Sequence, residues 1–192
     1  KELLEAGVDR IYVGEKNYGL RLPHTFSYEE LREIANLVHE AGKEIVVAVN
    51  ALMHQEMMDK IKPFLDFLAE IQTDYITVGD AGVFYVVNRD HYPFKTIYDA
   101  STMGTSSRQI NFWGQKAGAS EAVLAREVPS AELFAMQDIL EIPAEVLVYG
   151  ASVIHHSKRP LLQNYYNFTP IDDEKTRERD LFLAEPGDPS SH

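Results

Sequence analysis

Short apolar runs alternate with longer amphipathic segments along most of the chain. Six runs are typical of buried strands, since each is brief, largely apolar and followed by polar or turn-forming residues. They are Ile11–Gly14, Glu44–Asn50, Tyr75–Gly79, Lys95–Ala100, Ala122–Arg126 and Val146–Gly150. This alternation predicts repeated strand–helix units.

The segments between the runs carry helix signals. Ser27 and Glu30 form a capping box ahead of an apolar stripe that ends near Gly42. After His54, Pro63 is expected to end one helix and open a second. Further helices are predicted over Val83–Arg89, from Ile110 to the glycine stop at Gly118, and over Ala131–Leu140.

Strands separated by helices predict parallel βαβ units with right-handed crossovers. An open doubly wound sheet and a (β/α) barrel both fit, but no G-x-G-x-x-G turn follows the first strand. The sequence therefore favours an incomplete (β/α) TIM-type barrel. The opening KELLEAG is typical of the end of a helix, so we expect a chain truncated at its N-terminal strand. The barrel fragment is expected over residues 1–169, with a charged exit segment or arm over 170–192.

The amino-acid composition of the chain limits the kinds of partner and cofactor that it can bind. The 192 residues carry a formal net charge of −12, which disfavours strong contact with a phosphate backbone unless a partner or a local basic patch supplies it. No apolar run approaches the roughly 20 residues of a membrane span. The chain contains no cysteine, which excludes a thiolate-bound cluster and a cysteine nucleophile within these residues. We expect a cytoplasmic protein without a bound metal.

Polar residues follow most of the predicted strands, and in parallel α/β folds such positions gather at one edge. Ordinary loop polarity is the alternative to a polar pocket. The candidate ligand-binding residues are Arg21, Asn50, Asp80, Ser101, Arg126, Glu127, His155, Ser157, Lys158, Arg159 and Asn164. No catalytic residue is assigned among them.

The basic members of this set, Arg21, Arg126, Lys158 and Arg159, would suit an anion clamp, because guanidinium groups bind carboxylates and phosphates through paired hydrogen bonds. Asp80 and Glu127 would orient these cations or accept protons. For the neighbours Arg126 and Glu127, a structural ion pair is an equal alternative.

The stretch YGASVIHHSKRPLLQNYYNF, from Tyr149 to Phe168, holds the densest polar cluster. The H-E-x-x-H helix of zinc proteases and the G-x-S-x-G elbow of serine hydrolases are both absent from the sequence, so neither class is supported. Ser157 is interpreted as positioning the backbone of a ligand-binding loop. Asn164 lies beside aromatic residues that would form either a stacking platform or the edge of a core.

Six motifs in order resemble the collagenase-like peptidase family, U32: IYVG with YGLR, the strand ending in Asn50, VGDAGV, the pair Ser101–Thr102, LARE and the stretch just described. The last motif is similar to the family pattern H-G-A-x-C followed by S-G-R-C-L-L-S. Tyr149 replaces its histidine, Lys158 its glycine, and Val153 and Pro160 its cysteines. The resemblance is thus to a cysteine-free branch, whereas members with an iron–sulfur cluster use such cysteines.

The resemblance implies one of two activities. Some members of the family are proteases that degrade collagen, and others hydroxylate the wobble uridine of tRNA in a process linked to prephenate. The absence of a standard peptidase apparatus favours tRNA hydroxylation, with a paralogous partner subunit and with tRNA held partly by that partner. A prephenate-like dicarboxylate is the expected small ligand, held by Lys158 and Arg159. A non-catalytic scaffold subunit is the third alternative.

Overall fold

The computed structural model describes residues 1–20, 22–102, 104–150, 164, 165 and 168. The chain divides into two compact units, Lys1–Gly150 and Ala151–His192. In the second unit, Asn164, Tyr165 and Phe168 are helical and exposed. The expected segment 170–192 lies outside the described residues. No helix in the described ranges is both long and apolar enough to cross a membrane.

The described part of the first unit contains one parallel sheet of six strands in sequential order, β1 to β6. Each strand pairs in parallel with the next along the chain, so every connection is a crossover of the kind that parallel pairing requires. The strands are β1 (Arg10–Gly14), β2 (Glu44–Val49), β3 (Tyr75–Val78), β4 (Lys95–Asp99), β5 (Glu121–Val123) and β6 (Ala144–Glu145).

Helices connect these strands, as the amphipathic segments predict. They are α1 (Glu2–Glu5), α2 (Tyr28–Glu40), α3 (Gln55–Glu70), α4 (Ala81–Arg89), α5 (Ser107–Ala117) and α6 (Ser130–Gln137), with a 3₁₀ turn at Ala100–Thr102. The capping box of Ser27 and Glu30 is confirmed at the start of α2. Gly118 ends α5 in the left-handed conformation that glycine adopts most readily, with φ of 73°.

Three expectations about the elements are wrong. Pro63 lies inside the continuous helix α3 rather than between two helices. The apolar face of α3 explains this, because the helix buries Ile61, Phe64, Leu65 and Leu68, and that burial offsets the cost of the missing N–H.

The sixth strand is the second error. It is Ala144–Glu145, immediately before the predicted run Val146–Gly150. In that run Val148 and Tyr149 are almost fully exposed, so the apolar composition of this stretch does not indicate a buried strand. The fifth strand is also shorter than predicted and ends at Val123, which leaves Arg126 in the following turn.

Successive strand residues point to opposite faces of the sheet, and the two faces differ in chemistry. The outer face packs against the helices: Ile45, Val47, Ile76, Val78 and Tyr98 all belong to the main core with the helical residues Leu31, Phe64 and Phe84. The inner face carries a small apolar cluster of Val46, Tyr75 and Ile97, bordered by charged and polar residues.

The sheet is strongly curved, as ion pairs between polar residues on its inner face show. Arg10 on β1 contacts Glu44 on the adjacent strand, and it also reaches Glu121 on β5 and Glu145 on β6. Contacts between the first strand and the last two require the sheet to bend back toward its first edge. The predicted incomplete (β/α) barrel with parallel strands is therefore confirmed.

Candidate functional site

A cavity of about 470 Å³ opens on the inner face of the sheet, toward the carboxyl ends of the strands. This is the edge at which barrel proteins place their chemistry. Its polar lining residues are Tyr12, Asn50, Thr77, Asp99, Ser101, Arg126 and Glu145. Its apolar walls include Leu20, Leu22, Leu124, Val146 and Leu147.

Asp99 and Asn50 form the polar centre of this cavity. The Asn50 side-chain amide donates to Asp99 Oδ2 at 2.6 Å, and the backbone N–H of Ser101 donates to Asp99 Oδ1 at 3.0 Å. Asn50 is itself oriented, because its Oδ1 accepts from the backbone N–H of Leu20 at 2.9 Å. Asp99 is only 6% exposed. Both side chains are thus held in fixed positions before any ligand arrives.

The local sequence explains how this pair forms. Asn50 directly follows β2, and Asp99 is the last residue of β4, with β3 between them in the sheet. Polar residues at the ends of β2 and β4 can therefore meet over the end of the intervening strand.

Tyr12 and Glu145 form a second polar pair at the wall of the cavity. The Tyr12 hydroxyl donates to Glu145 Oε2, and Arg10 Nη1 lies 3.2 Å from Glu145 Oε1. Burial, followed by the neighbouring Glu145 carboxylate, raises the pKa of Tyr12 well above its usual range, so this phenol stays protonated. Glu145 thus links the cavity to the Arg10 ion-pair network.

Thr77 adds a hydroxyl beneath the cavity. The residue is 4% exposed and lines the cavity from β3. Among the residues that the structure describes, Thr77 Oγ1 has no hydrogen-bond partner. Buried hydroxyls normally have one, so this side chain retains an unused capacity for a hydrogen bond.

The charge of the described lining is slightly negative. Two carboxylates, Asp99 and Glu145, oppose one guanidinium, Arg126. No group of three or more His, Asp or Glu side chains in the described ranges is arranged to hold a metal ion. The lining therefore combines two carboxylates and one cation with hydroxyl and amide groups, which both donate and accept hydrogen bonds, and with apolar surface.

The structure brings some of the sequence-predicted residues together and not others. Asn50, Ser101 and Arg126 line the cavity. Asp80 instead caps α4, where its carboxylate accepts from the backbone N–H of Gly82 at 2.7 Å, and Glu127 is exposed in the turn after β5. Asn164 is exposed in the second unit. The other candidates, Arg21, His155, Ser157, Lys158 and Arg159, lie outside the described residues.

Asp99, Tyr12, Thr77 and Glu145 belong to the cavity but were not predicted from the sequence. Asp99 carried a usable signal, because it is a carboxylate at the end of an apolar strand. The other three lie within strands, and only the alternation of inner and outer positions would have revealed them.

The fold places this protein in the class of (β/α) barrels, with a cavity at the carboxyl ends of its strands. The model of peptidase family U32 matches residues 1–178. The chain therefore belongs to peptidase family U32, as its motifs predict.

Two relatives from Bacillus subtilis (strain 168) are similar to most of the chain. It is 34% identical to tRNA hydroxylation protein P2 over 184 residues, which cover 94% of this chain and 59% of P2. It is 28% identical to tRNA hydroxylation protein P1 over 160 residues, which cover 83% of this chain and 38% of P1. The chain thus spans less than two thirds of either relative, and one organism has both related proteins.

A solved structure with the same fold is that of the U32 peptidase Mk0906. It aligns with a TM-score of 0.63 at 15% identity and covers 76% of this chain and 64% of Mk0906. At that identity the comparison supports the fold alone. The parallel strands and crossover helices are thus a shared architecture.

Proposed function

We propose that this chain acts in the hydroxylation of tRNA at the wobble uridine, together with a paralogous partner subunit. The observation that carries the proposal is the similarity of nearly the whole chain to a protein named for tRNA hydroxylation. The further similarity to P1 from the same organism supports a pair of related subunits. Such a protein works in the cytoplasm, where tRNA is found.

The cavity at the carboxyl ends of the strands is the proposed substrate site. Asp99 and Asn50 supply fixed polar groups, and Arg126 supplies a cation at the same cavity. The predicted anion ligands Arg21, Lys158 and Arg159 stay candidates, with a prephenate-like dicarboxylate as their ligand. His155, Ser157 and Asn164 stay candidate ligand-binding residues, whereas Asp80 caps α4 and Glu127 is exposed in the turn after β5.

The partner has an electrostatic role in this proposal. A formal net charge of −12 opposes close approach of an RNA backbone. A basic surface on the partner would supply phosphate contacts that this net charge disfavours. Binding of tRNA should therefore need both subunits and weaken steeply with added salt.

Deletion of the gene that encodes this chain tests the proposal. The readout is mass spectrometry of tRNA nucleosides from the parent organism, in which hydroxyuridine should disappear. The wild-type gene should restore it, and Asp99→Asn should not. Asp59→Asn is the matched control, because Asp59 is exposed on α3, away from the cavity, and accepts a surface hydrogen bond from Gln55. Unchanged hydroxyuridine in the deletion strain would reject the proposal.

Proteolysis is the second candidate, favoured by membership of a peptidase family and by the shared fold of the U32 peptidase Mk0906. Purified full-length protein would then cleave gelatin, and Asp99→Asn would abolish the cleavage. A non-catalytic scaffold would show neither activity by itself. In that case the pair of subunits should retain hydroxylation when Asp99 of this chain is substituted.

A further inference from the structure

We propose that Thr77 is a ligand-binding residue at the floor of the cavity on the inner face of the sheet, where its hydroxyl bonds an uncharged hydroxyl or carbonyl group of the substrate. The inference rests on the proposed function only in taking this cavity as the substrate site. It adds to the site a residue that lies within a strand, below the polar residues that follow the strand ends.

The hydroxyl of Thr77 is buried without a hydrogen-bond partner. Thr77 is 4% exposed, and its Oγ1 bonds to none of the residues that the structure describes. A buried polar group without a partner destabilises a folded protein, and buried hydroxyls are normally bonded. Valine has nearly the same shape as threonine and is equally suited to a strand, so packing does not require a hydroxyl here. A ligand that bonds this hydroxyl would offset its cost.

The pairing register places Thr77 in a row of small residues. Gly14, Ala48 and Thr77 lie side by side on β1, β2 and β3. Two residues earlier, on the same face, β1 and β3 carry the bulky side chains of Tyr12 and Tyr75. Ala48 and Thr77 both line the cavity of about 470 Å³. The bulky row therefore closes the inside of the sheet, and Thr77 lies at the floor of the cavity above it.

A second buried threonine supplies an internal control. Thr73 is also 4% exposed, and its Oγ1 likewise has no partner within the described part of the chain. It lies in the connection between α3 and β3, at the opposite end of the strand, and does not belong to the described lining of the cavity. The two hydroxyls thus share their burial and differ in their access to the cavity.

The surroundings of Thr77 favour an uncharged partner group. Its register neighbours are Ala48 on β2 and Ile97 on β4, and both are apolar and buried. An ion placed against such surfaces would lose its hydration without compensation. A threonine hydroxyl donates to a carbonyl oxygen, and it donates to or accepts from another hydroxyl. Rotation about χ1 exchanges the hydroxyl and the methyl group, so the hydroxyl can turn toward a ligand without movement of the strand.

Thermal unfolding of the full-length protein tests the state of the hydroxyl. Thr77→Val removes an unpaired polar atom and should raise the unfolding midpoint by at least about 2 °C, and Thr73→Val should do the same. Thr77→Ser keeps the hydroxyl but loses a buried methyl group, so it should lower the midpoint. A midpoint of Thr77→Val equal to or below that of wild type would overturn the inference, because the hydroxyl would then have a partner within the protein.

The same three variants are then expressed in the deletion strain, and the initial rate of hydroxyuridine formation after induction is measured. Thr77→Val should lower this rate at least about fivefold, since the ligand oxygen would lose its hydrogen bond. Thr77→Ser keeps that bond and Thr73→Val lies outside the cavity, so both should stay within about twofold of wild type. A wild-type rate in Thr77→Val, or an equal loss in Thr77→Ser, would overturn the role of the hydroxyl.

A labelling experiment is independent of the proposed function. These 192 residues contain no cysteine, so Thr77→Cys and Thr73→Cys each introduce one thiol into them. Methyl methanethiosulfonate should modify position 77 at least about tenfold faster than position 73, because thiol reactions depend on access. Peptide mass spectrometry locates the modified position.

The labelling and the gene deletion separate the two proposals. Equal labelling rates at the two positions would overturn the inference, even if deletion of the gene removes hydroxyuridine and so supports the proposed function. Unchanged hydroxyuridine in the deletion strain would reject the proposed function. Faster labelling at position 77, together with the raised midpoint of Thr77→Val, would in that case still support a ligand site at Thr77.

Discussion

Arg10 on the first strand and Glu121 on the fifth form a two-point ion pair across the inside of the sheet. Arg10 Nη1 lies 2.5 Å from Glu121 Oε2, and Nη2 lies 2.9 Å from Oε1. The same guanidinium bonds Glu44 through Nε at 2.7 Å and lies over the ring of Tyr75, 4.2 Å from its centroid. One side chain therefore joins strands that are distant in the sheet order.

Arg10→Met should destabilise the fold by about 1–3 kcal/mol. The side chains of Arg10 and Glu121 are 24% and 12% exposed, so the pair is partly buried. An exposed ion pair contributes about 0–1 kcal/mol, and disruption of a fully buried pair costs about 3–5 kcal/mol. The loss expected here lies between these two values. Loss of the cation would leave three carboxylates facing one another. Urea unfolding followed by circular dichroism measures the change.

Arg32→Met is the matched control for this variant. Arg32 pairs with Glu70 at 2.8 Å on the surface, and both side chains are roughly half exposed. Its removal should cost much less than that of Arg10, since solvent already screens the pair. Equal losses in the two variants would show that the inner network has no special role in closing the sheet.

The stability of the domain should fall in acid, partly through Glu121. The hydrogen bonds from Arg10 lower the pKa of Glu121 in the folded state. A lowered folded-state pKa stabilises the protein above the ordinary glutamate pKa of about 4.3, and this stabilisation is lost as the pH falls through the folded-state pKa. Glu121→Gln should therefore flatten the decline of the unfolding free energy below about pH 4.3. A parallel decline in both proteins would contradict this assignment.

Gly104→Ala should destabilise the protein by about 1–3 kcal/mol, because a Cβ at that position would overlap Ala100 Cβ and lie 3.0 Å from Ala100 Cα. Backbone and a buried alanine cannot move aside easily. Gly79→Ala is the control, since its Cβ would lie 3.5 Å from the Asn50 carbonyl oxygen, an ordinary contact. Thermal unfolding of both variants should show a clear loss for Gly104→Ala only.

Asn50→Ala should cost about 1–3 kcal/mol, because it removes a donor from the buried Asp99 carboxylate and leaves that group less well satisfied. The double variant Asn50→Ala with Asp99→Ala should lose less than the sum of the single losses, as expected for groups in direct contact. Additive losses measured by urea unfolding would contradict the assigned pairing.

The sequence predicts most of the sheet because local rules and tertiary packing agree there. The runs at Ile45–Val49 and Tyr75–Val78 are apolar and are buried in the structure, and the Ser27 capping box starts α2 as expected. Local rules fail at Pro63, where packing of α3 against the sheet outweighs the tendency of proline to interrupt a helix. They also failed at Val146–Gly150, whose apolar side chains are largely exposed in the first unit.

The candidate site was harder to predict than the fold. Asn50, Ser101 and Arg126 stood out because polar residues follow apolar strands. Asp99 and Tyr12 lie within predicted strands, and Glu145 immediately precedes the predicted sixth strand. Which of two adjacent strand residues faces inward depends on register and on the curl of the sheet, and both are set by long-range contacts.

The two faces of each strand are under different physical constraints, which determine the strand positions that can change during evolution. Outer positions such as Val47 and Ile76 must fill space under the helices, whereas inner positions such as Tyr12 and Asp99 border a cavity. A mutational scan along β1 to β5 should therefore show tolerance with a period of two residues. Relatives can acquire new ligands by exchanging every second strand residue while they keep the same scaffold.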